Sequence, residues 1–208
     1  MSKLKLDKIL NKVGNKIGKI LGSLCVCYRP ISYLSPVAVE NQVKSKYAAF
    51  LLDANFTKTL DYTFQIFTVE ADTTDVNAGD IFIDNTDTYV IVSARVAETC
   101  KAILANGVIT VNRPVYGSVT PGLFGPTISA IATDLPVNIY AKKGNPKFKE
   151  VTGKPVSNGF TINYEIRMFT NEQIIKVGDQ IVDSDSVKSV ITSIDFGPLG
   201  YTIYSQSI

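Results

Sequence analysis

The chain has 208 residues, 45% of them hydrophobic, with 21 lysines and arginines against 19 aspartates and glutamates and a net charge of +2. That is enough apolar material for one or two packed cores, so disorder is not the default expectation, and so small a charge does not require a nucleic-acid partner. With no histidine and three scattered cysteines, the residues support neither a histidine-based acid–base site nor a tetrahedral zinc set, and no metal or cofactor is expected.

In chain order, the first element is an amphipathic helix. Leu6, Ile9, Leu10, Val13, Ile17, Ile20 and Leu21 recur at spacings of three and four, and Lys5, Lys8, Lys12, Lys16 and Lys19 follow the same period on a neighbouring stripe. Six of the 21 basic residues fall within the first tenth of the chain. Gly14, Gly18 and Gly22 are also spaced by four, which lines up a face without side chains where another backbone can approach. The helix is expected to end near Gly22, which can take a left-handed cap. Its lysine stripe fits an anionic membrane surface, nucleic-acid phosphate, or a solvated flank beside an apolar face packed on protein. The last is preferred, because the helix lacks Trp and Phe to anchor it in lipid and has no aromatic residue to stack on bases. Lysine runs through the whole segment, unlike a secretory signal, and no run of about eighteen apolar residues exists to cross a membrane.

Leu24 to Pro30 reads as an extended segment, and residues 31–46 as an irregular arm interrupted by Pro30 and Pro36. Cys25 and Cys27 are two apart, share one face of an extended segment and cannot close a disulfide, which fits synthesis in a reducing cytoplasm. Then the chain repeats itself. Gly79-Asp80-Ile81-Phe82-Ile83-Asp84 runs into Tyr89-Val90-Ile91-Val92-Ser93, and about a hundred residues later Gly178-Asp179-Gln180-Ile181-Val182-Asp183 runs into Val187 to Ser193. Each is strand, polar turn, strand, with Asn85-Thr86-Asp87 or Ser184-Asp185-Ser186 as the turn. Further strands are expected at 107–113 and 137–140, and again from Thr161 to Tyr204. Gly117 to Pro126 is expected to be a loop with Leu123 and Phe124 at its tip, either folded back onto the barrel or held ready for a contact.

The expected class is therefore mainly β: an N-terminal amphipathic helix (1–22), an extended arm (23–46), a first small barrel or sandwich module (47–141), a basic linker (142–158) and a second such module (159–208). Paired aspartates, Asp80 with Asp84 and Asp179 with Asp183, are candidates for hydrolase or calcium chemistry. All four sit at strand ends, where aspartate is favoured by bonding its own backbone, and the turn reading is preferred. No enzymatic site is expected. The candidate partner-binding residues are Leu6, Ile9, Leu10, Val13, Ile17, Ile20, Leu21, Leu123 and Phe124.

Taken together, the helix running into Leu21-Gly22, then Val26-Cys27-Tyr28-Arg29-Pro30, the Gly79-Asp80-Ile81-Phe82-Ile83 module with Tyr89-Val90-Ile91-Val92, and Thr110-Val111-Asn112-Arg113-Pro114 resemble a class of tailed-bacteriophage virion proteins of the neck, tail or baseplate. The resemblance covers the first 115 residues or so. It implies a non-enzymatic ring or collar component, made in the host cytoplasm and carried in the virion, that contacts copies of itself and other virion proteins. Lys142, Lys143, Lys147 and Lys149 would touch passing DNA if their segment faced a lumen. A carbohydrate- or receptor-binding β module is the alternative, with Tyr, Asp and Asn on loops as its recognition groups, although the chain has no Trp to provide a broad sugar platform.

Overall fold

The computed structural model describes residues 3–53, 66–85, 87–94, 99–115, 127–142, 161–167, 173–197 and 200–208. Its first element is the expected helix, α1 (Lys3–Leu21), which ends where the Gly22 amide closes the last turn on the Gly18 carbonyl at 2.9 Å. Strand β1 (Ser23–Tyr28) follows at once, with Cys25 and Cys27 fully buried, Leu24 exposed beside them and Val26 half-buried between them, the period-2 alternation of a sheet with one covered face. Next come a short 3-10 turn (Val39–Asn41) and β2 (Lys46–Leu52), β3 (Ile66–Ala71), β4 (Ile81–Asp84), β5 (Asp87–Ser93) and β6 (Cys100–Ala105). These six strands pair in the order β1-β2-β3-β6-β5-β4, and β4 returns to β1, so the sheet closes into a barrel and has no free edge.

The remaining strands are β7 (Gly107–Val115), β8 (Thr127–Lys142), β9 (Thr161–Arg167), β10 (Gln180–Asp183), β11 (Lys188–Gly197) and β12 (Gly200–Ser207). They form a second closed barrel in the order β7-β8-β9-β12-β11-β10, the first order shifted by six strands. The registers match as well. Val26, Cys27 and Tyr28 lie opposite Ile83, Phe82 and Ile81 in the first barrel, and Thr110, Val111 and Asn112 opposite Val182, Ile181 and Gln180 in the second. Ala49 faces Glu70 as Asn138 faces Glu165. Both barrels carry an irregularity at the equivalent place, between Ile91 and Ser93 and between Ile191 and Ser193, and the second has two more where β7 pairs with β8. The chain is thus a tandem repeat of one barrel topology.

This corrects the expected module boundaries. Contacts divide the chain between Asn106 and Gly107, not around 142–158, and residues 23–28 of the supposed arm are a barrel strand. The repeated Gly-Asp phrase misled the boundary because it opens the fourth strand of each barrel, not the first. The first strand of each is the one that carries Arg-Pro: Arg29-Pro30 follows β1, and Arg113-Pro114 lies near the end of β7. The basic segment at 143–158 and the Leu123–Phe124 loop tip lie outside the described residues.

Each barrel has its own core. The first is filled by Cys25, Cys27, Ala48, Val69, Ala71, Val76, Phe82, Tyr89, Ile91, Cys100 and Ala102, with the Phe50 ring stacked on Tyr89 at a centroid distance of 3.6 Å. The second buries Ile109, Val111, Leu135, Val137, Tyr164, Ile166, Ile175, Ile181, Ile191, Tyr201 and Ile203. The bulky ring changes strand between them. Val69, Tyr89 and Ala102 of the first barrel correspond, by register, to Tyr164, Ser189 and Ser205 of the second, and the Tyr164 hydroxyl lies 3.5 Å from the Ser189 hydroxyl. A large residue on β9 partly offsets the small ones on β11 and β12.

Candidate interaction surface

At about 100° of turn per residue, the residues of α1 fall into three stripes, each about a third of the circumference. One is apolar (Leu6, Ile9, Leu10, Val13, Ile17, Ile20, Leu21), one is basic (Lys5, Lys8, Lys12, Lys16, Lys19), and one is small and polar (Asn11, Gly14, Gly18, Gly22). An amphipathic helix ordinarily hides its apolar stripe. Within this chain, α1 hides the glycine stripe instead.

The fit is close. A β-carbon built on Gly18 would lie 2.6 Å from the Tyr47 carbonyl oxygen and 2.7 Å from that of Glu70; one on Gly14 would lie 2.7 Å from the Ala71 carbonyl oxygen, and one on Gly22 2.1 Å from that of Ala48. The helix therefore lies on the backbone of β2 and β3, at a separation that only glycine permits. Asn11 pins its first half: the side-chain amide donates to Thr74 Oγ1 at 3.3 Å, and its Oδ1 accepts from the Thr73 hydroxyl at 2.5 Å.

The candidate partner-binding residues of α1 are consequently left facing water. Leu6, Ile9, Leu10 and Val13 are between 37% and 49% exposed, Ile20 and Leu21 are 67% and 69% exposed, and Ile17 is half-buried. Leu24, just past the helix, and Tyr47, its cross-strand neighbour, add two further exposed apolar side chains. Single exposed leucines are ordinary, but a rigidly held row of them is the kind of patch that marks a contact. All five lysines of the basic stripe are exposed as well.

The candidate aspartates have other duties. Asp80 is buried and takes a two-pronged bond from Arg29, Nε to Oδ1 at 2.9 Å and Nη2 to Oδ2 at 2.8 Å, and also accepts the Asn77 amide at 2.9 Å. Asp179 repeats this in the second barrel with Arg113, at 2.8 Å for both prongs, and with the Lys176 amide at 2.8 Å. Each arginine also donates to a carbonyl five residues before its aspartate, that of Asp75 or Ile174. The preceding glycines, Gly79 and Gly178, both have φ of 92°, and their amides bond the carbonyls of Ile91 and Ile191. These clamps tie the strand entering from the loop to the Arg-Pro strand of the same barrel. Asp183 behaves as expected of a turn residue and accepts the amides of Asp185 and Val187. Asp84 Oδ1 is buried and accepts no hydrogen bond among the described residues. The sequence reading missed the clamps, although the paired Arg-Pro and Gly-Asp phrases were their signal.

The three thiols are free and buried. Burial pushes the Cys27 and Cys100 thiols up to about 12, and raises Cys25 too, so all three are neutral at ordinary pH. Iodoacetamide at about pH 8 should leave them unmodified in the folded protein and label all three in urea; labelling at native rates would show the barrel to be open. Because these pKa values are raised on folding, their stabilising contribution is complete below the free-thiol value of about 8.5 and is lost as pH climbs towards the folded values. No group of described residues could hold a metal ion, and no described helix is long and apolar enough to cross a membrane.

Comparison with protein-family models, with curated proteins and with solved structures found no match to the chain.

Proposed function

We propose that the protein is a non-enzymatic structural component of a tailed-phage virion, joining neighbouring rings at the neck or the tail and baseplate through protein contacts. The observation that carries this reading is the apolar stripe of α1, held in a fixed position by its glycine face and turned outward. A joint needs a contact surface that is presented before the partner arrives, because ordering a loose helix at the moment of binding costs affinity. The closed barrels suit the role, since they give rigid bodies without free sheet edges that would pair indiscriminately. Rings built from one chain require heterologous contacts that close by rotation, and a tandem repeat offers two related bodies for such contacts.

In solution, light scattering on the full chain should give a mass several times 22.7 kDa, with closed rings in electron micrographs. Substitution Val13→Glu should leave that mass unchanged, because in this reading the stripe faces the next protein in the particle and not the copy alongside. A monomer at every concentration would overturn the ring.

A further inference from the structure

The stripe carries more information than its exposure. Five of its seven residues, Leu6, Leu10, Val13, Ile17 and Ile20, follow one another at intervals of four, three, four and three, the alternation of a helix-pairing seam, and Ile9 and Leu21 widen it on either side. α1 spans 19 residues, and the stretch from Leu6 to Ile20 offers about 21 Å of seam at about 1.5 Å per residue. Its two flanks differ. The glycine side lies on β2 and β3 and is closed to a partner, whereas the other side carries Lys5, Lys8, Lys12, Lys16 and Lys19, all exposed. Ile9 lies beside Lys5 and Lys12, and Ile20 beside Lys16, at helix spacings of three and four, so a helix seated on the seam would meet lysine along one edge and barrel along the other.

We infer that the partner of α1 is an amphipathic helix of another protein, with its own leucine or isoleucine seam and a row of glutamate or aspartate along one flank. This rests on the reading of the stripe as a contact surface and adds the chemistry of what covers it. Opposed charges beside an apolar seam choose partner and orientation, and like charges there disfavour pairing. A second α1 is a poor occupant for the same reason, since it would bring its own lysines to the seam. An anionic lipid surface shares the charge preference, but the helix has no Trp or Phe to anchor it there.

The test uses the full chain and two synthetic helical peptides with leucine and isoleucine at seam positions, one with glutamate flanks and one with lysine flanks, titrated by calorimetry at about 0.15 M salt. The glutamate peptide should bind roughly ten-fold or more tightly than the lysine peptide, with the gap narrowing as salt rises. Val13→Glu should abolish binding of both peptides. The triple variant Lys12→Glu, Lys16→Glu, Lys19→Glu, which changes only exposed side chains, should reverse the preference. Equal binding of the two peptides, failure of both to bind, or a charge-reversed chain that keeps the original preference would overturn the inference. So would co-sedimentation with phosphatidylglycerol vesicles in the absence of peptide binding, which would assign the stripe to lipid. None of these outcomes depends on ring formation, so the peptide result and the light-scattering result fail separately.

Discussion

Replacing Arg29 with methionine should destabilise the first barrel by about 3–5 kcal/mol, the loss typical when a buried ion pair is broken from one side. The reasoning turns on which partner is left behind. The Asp80 side chain is only 4% exposed, so without Arg29 it keeps one backbone amide and little water. Removing the aspartate should cost less, because the Arg29 side chain is 38% exposed and can recover hydration. Asp80→Asn should therefore be milder than Arg29→Met, and the double variant Arg29→Met, Asp80→Leu should recover part of the loss, since a packed apolar pair often does as well as a buried ionic one. Arg113→Met should behave alike in the second barrel, where Asp179 is 3% exposed in its side chain. Urea titration gives the magnitude, and amide hydrogen exchange shows which barrel has loosened. An Arg29→Met protein with unchanged stability would mean that the clamp contributes nothing net.

The second large effect concerns a substitution that ordinarily helps. Alanine in place of glycine inside a solvated helix stabilises it by about 1 kcal/mol. In α1 the sign should reverse. Gly18→Ala puts a methyl group 2.6 Å and 2.7 Å from two backbone carbonyl oxygens that belong to paired strands and cannot move independently. Relief comes from lifting the helix, at a cost of about 1–3 kcal/mol or more, as for overpacked interiors. Amides of residues 3–21 should lose exchange protection in Gly18→Ala, while those of the second barrel stay as they were. Lys12→Ala on the exposed flank is the control and should protect the helix slightly better. A Gly18→Ala protein with a better-protected helix would show that the glycine face is not the docking face.

How much of this could be read from residues alone follows from how local each feature is. The helix, its three stripes and its stop at Gly22 are set by spacings of three and four within twenty residues, and they emerge intact, except that Gly22 does not take the expected left-handed cap. The hairpins β4-β5 and β10-β11 were also legible, because a polar turn separates adjacent strands. The choice between barrel and sandwich stayed open, since β1 meets β4, and β7 meets β10, through pairings that no local pattern encodes. The clamps join residues 51 and 66 positions apart. Strand β8 was recognised only at 137–140, although it runs from Thr127 to Lys142. Pro136 and the left-handed Asp134, with φ of 52°, interrupt its pattern, and both read as punctuation when tertiary pairing is unknown. For the interaction surface, the apolar residues of α1 were legible, whereas their exposure depends on β2 and β3 receiving the glycine face.

The aromatic residue that changes strand between the two barrels bears on how the chain folds. Two modules with one topology and one register, covalently joined, could exchange equivalent strands during synthesis and trap a hybrid. Tyr164 reaches the hydroxyl of Ser189, whose counterpart in the first barrel is Tyr89. A hybrid with β9 in place of β3 would hold both tyrosine rings where there is room for one, and the complementary hybrid would hold neither. One would be overfilled and the other hollow, each at a cost of several kcal/mol on the scale of core substitutions, about 1–5 per site. The differing cores would thus disfavour strand exchange between two copies of a single architecture in one chain.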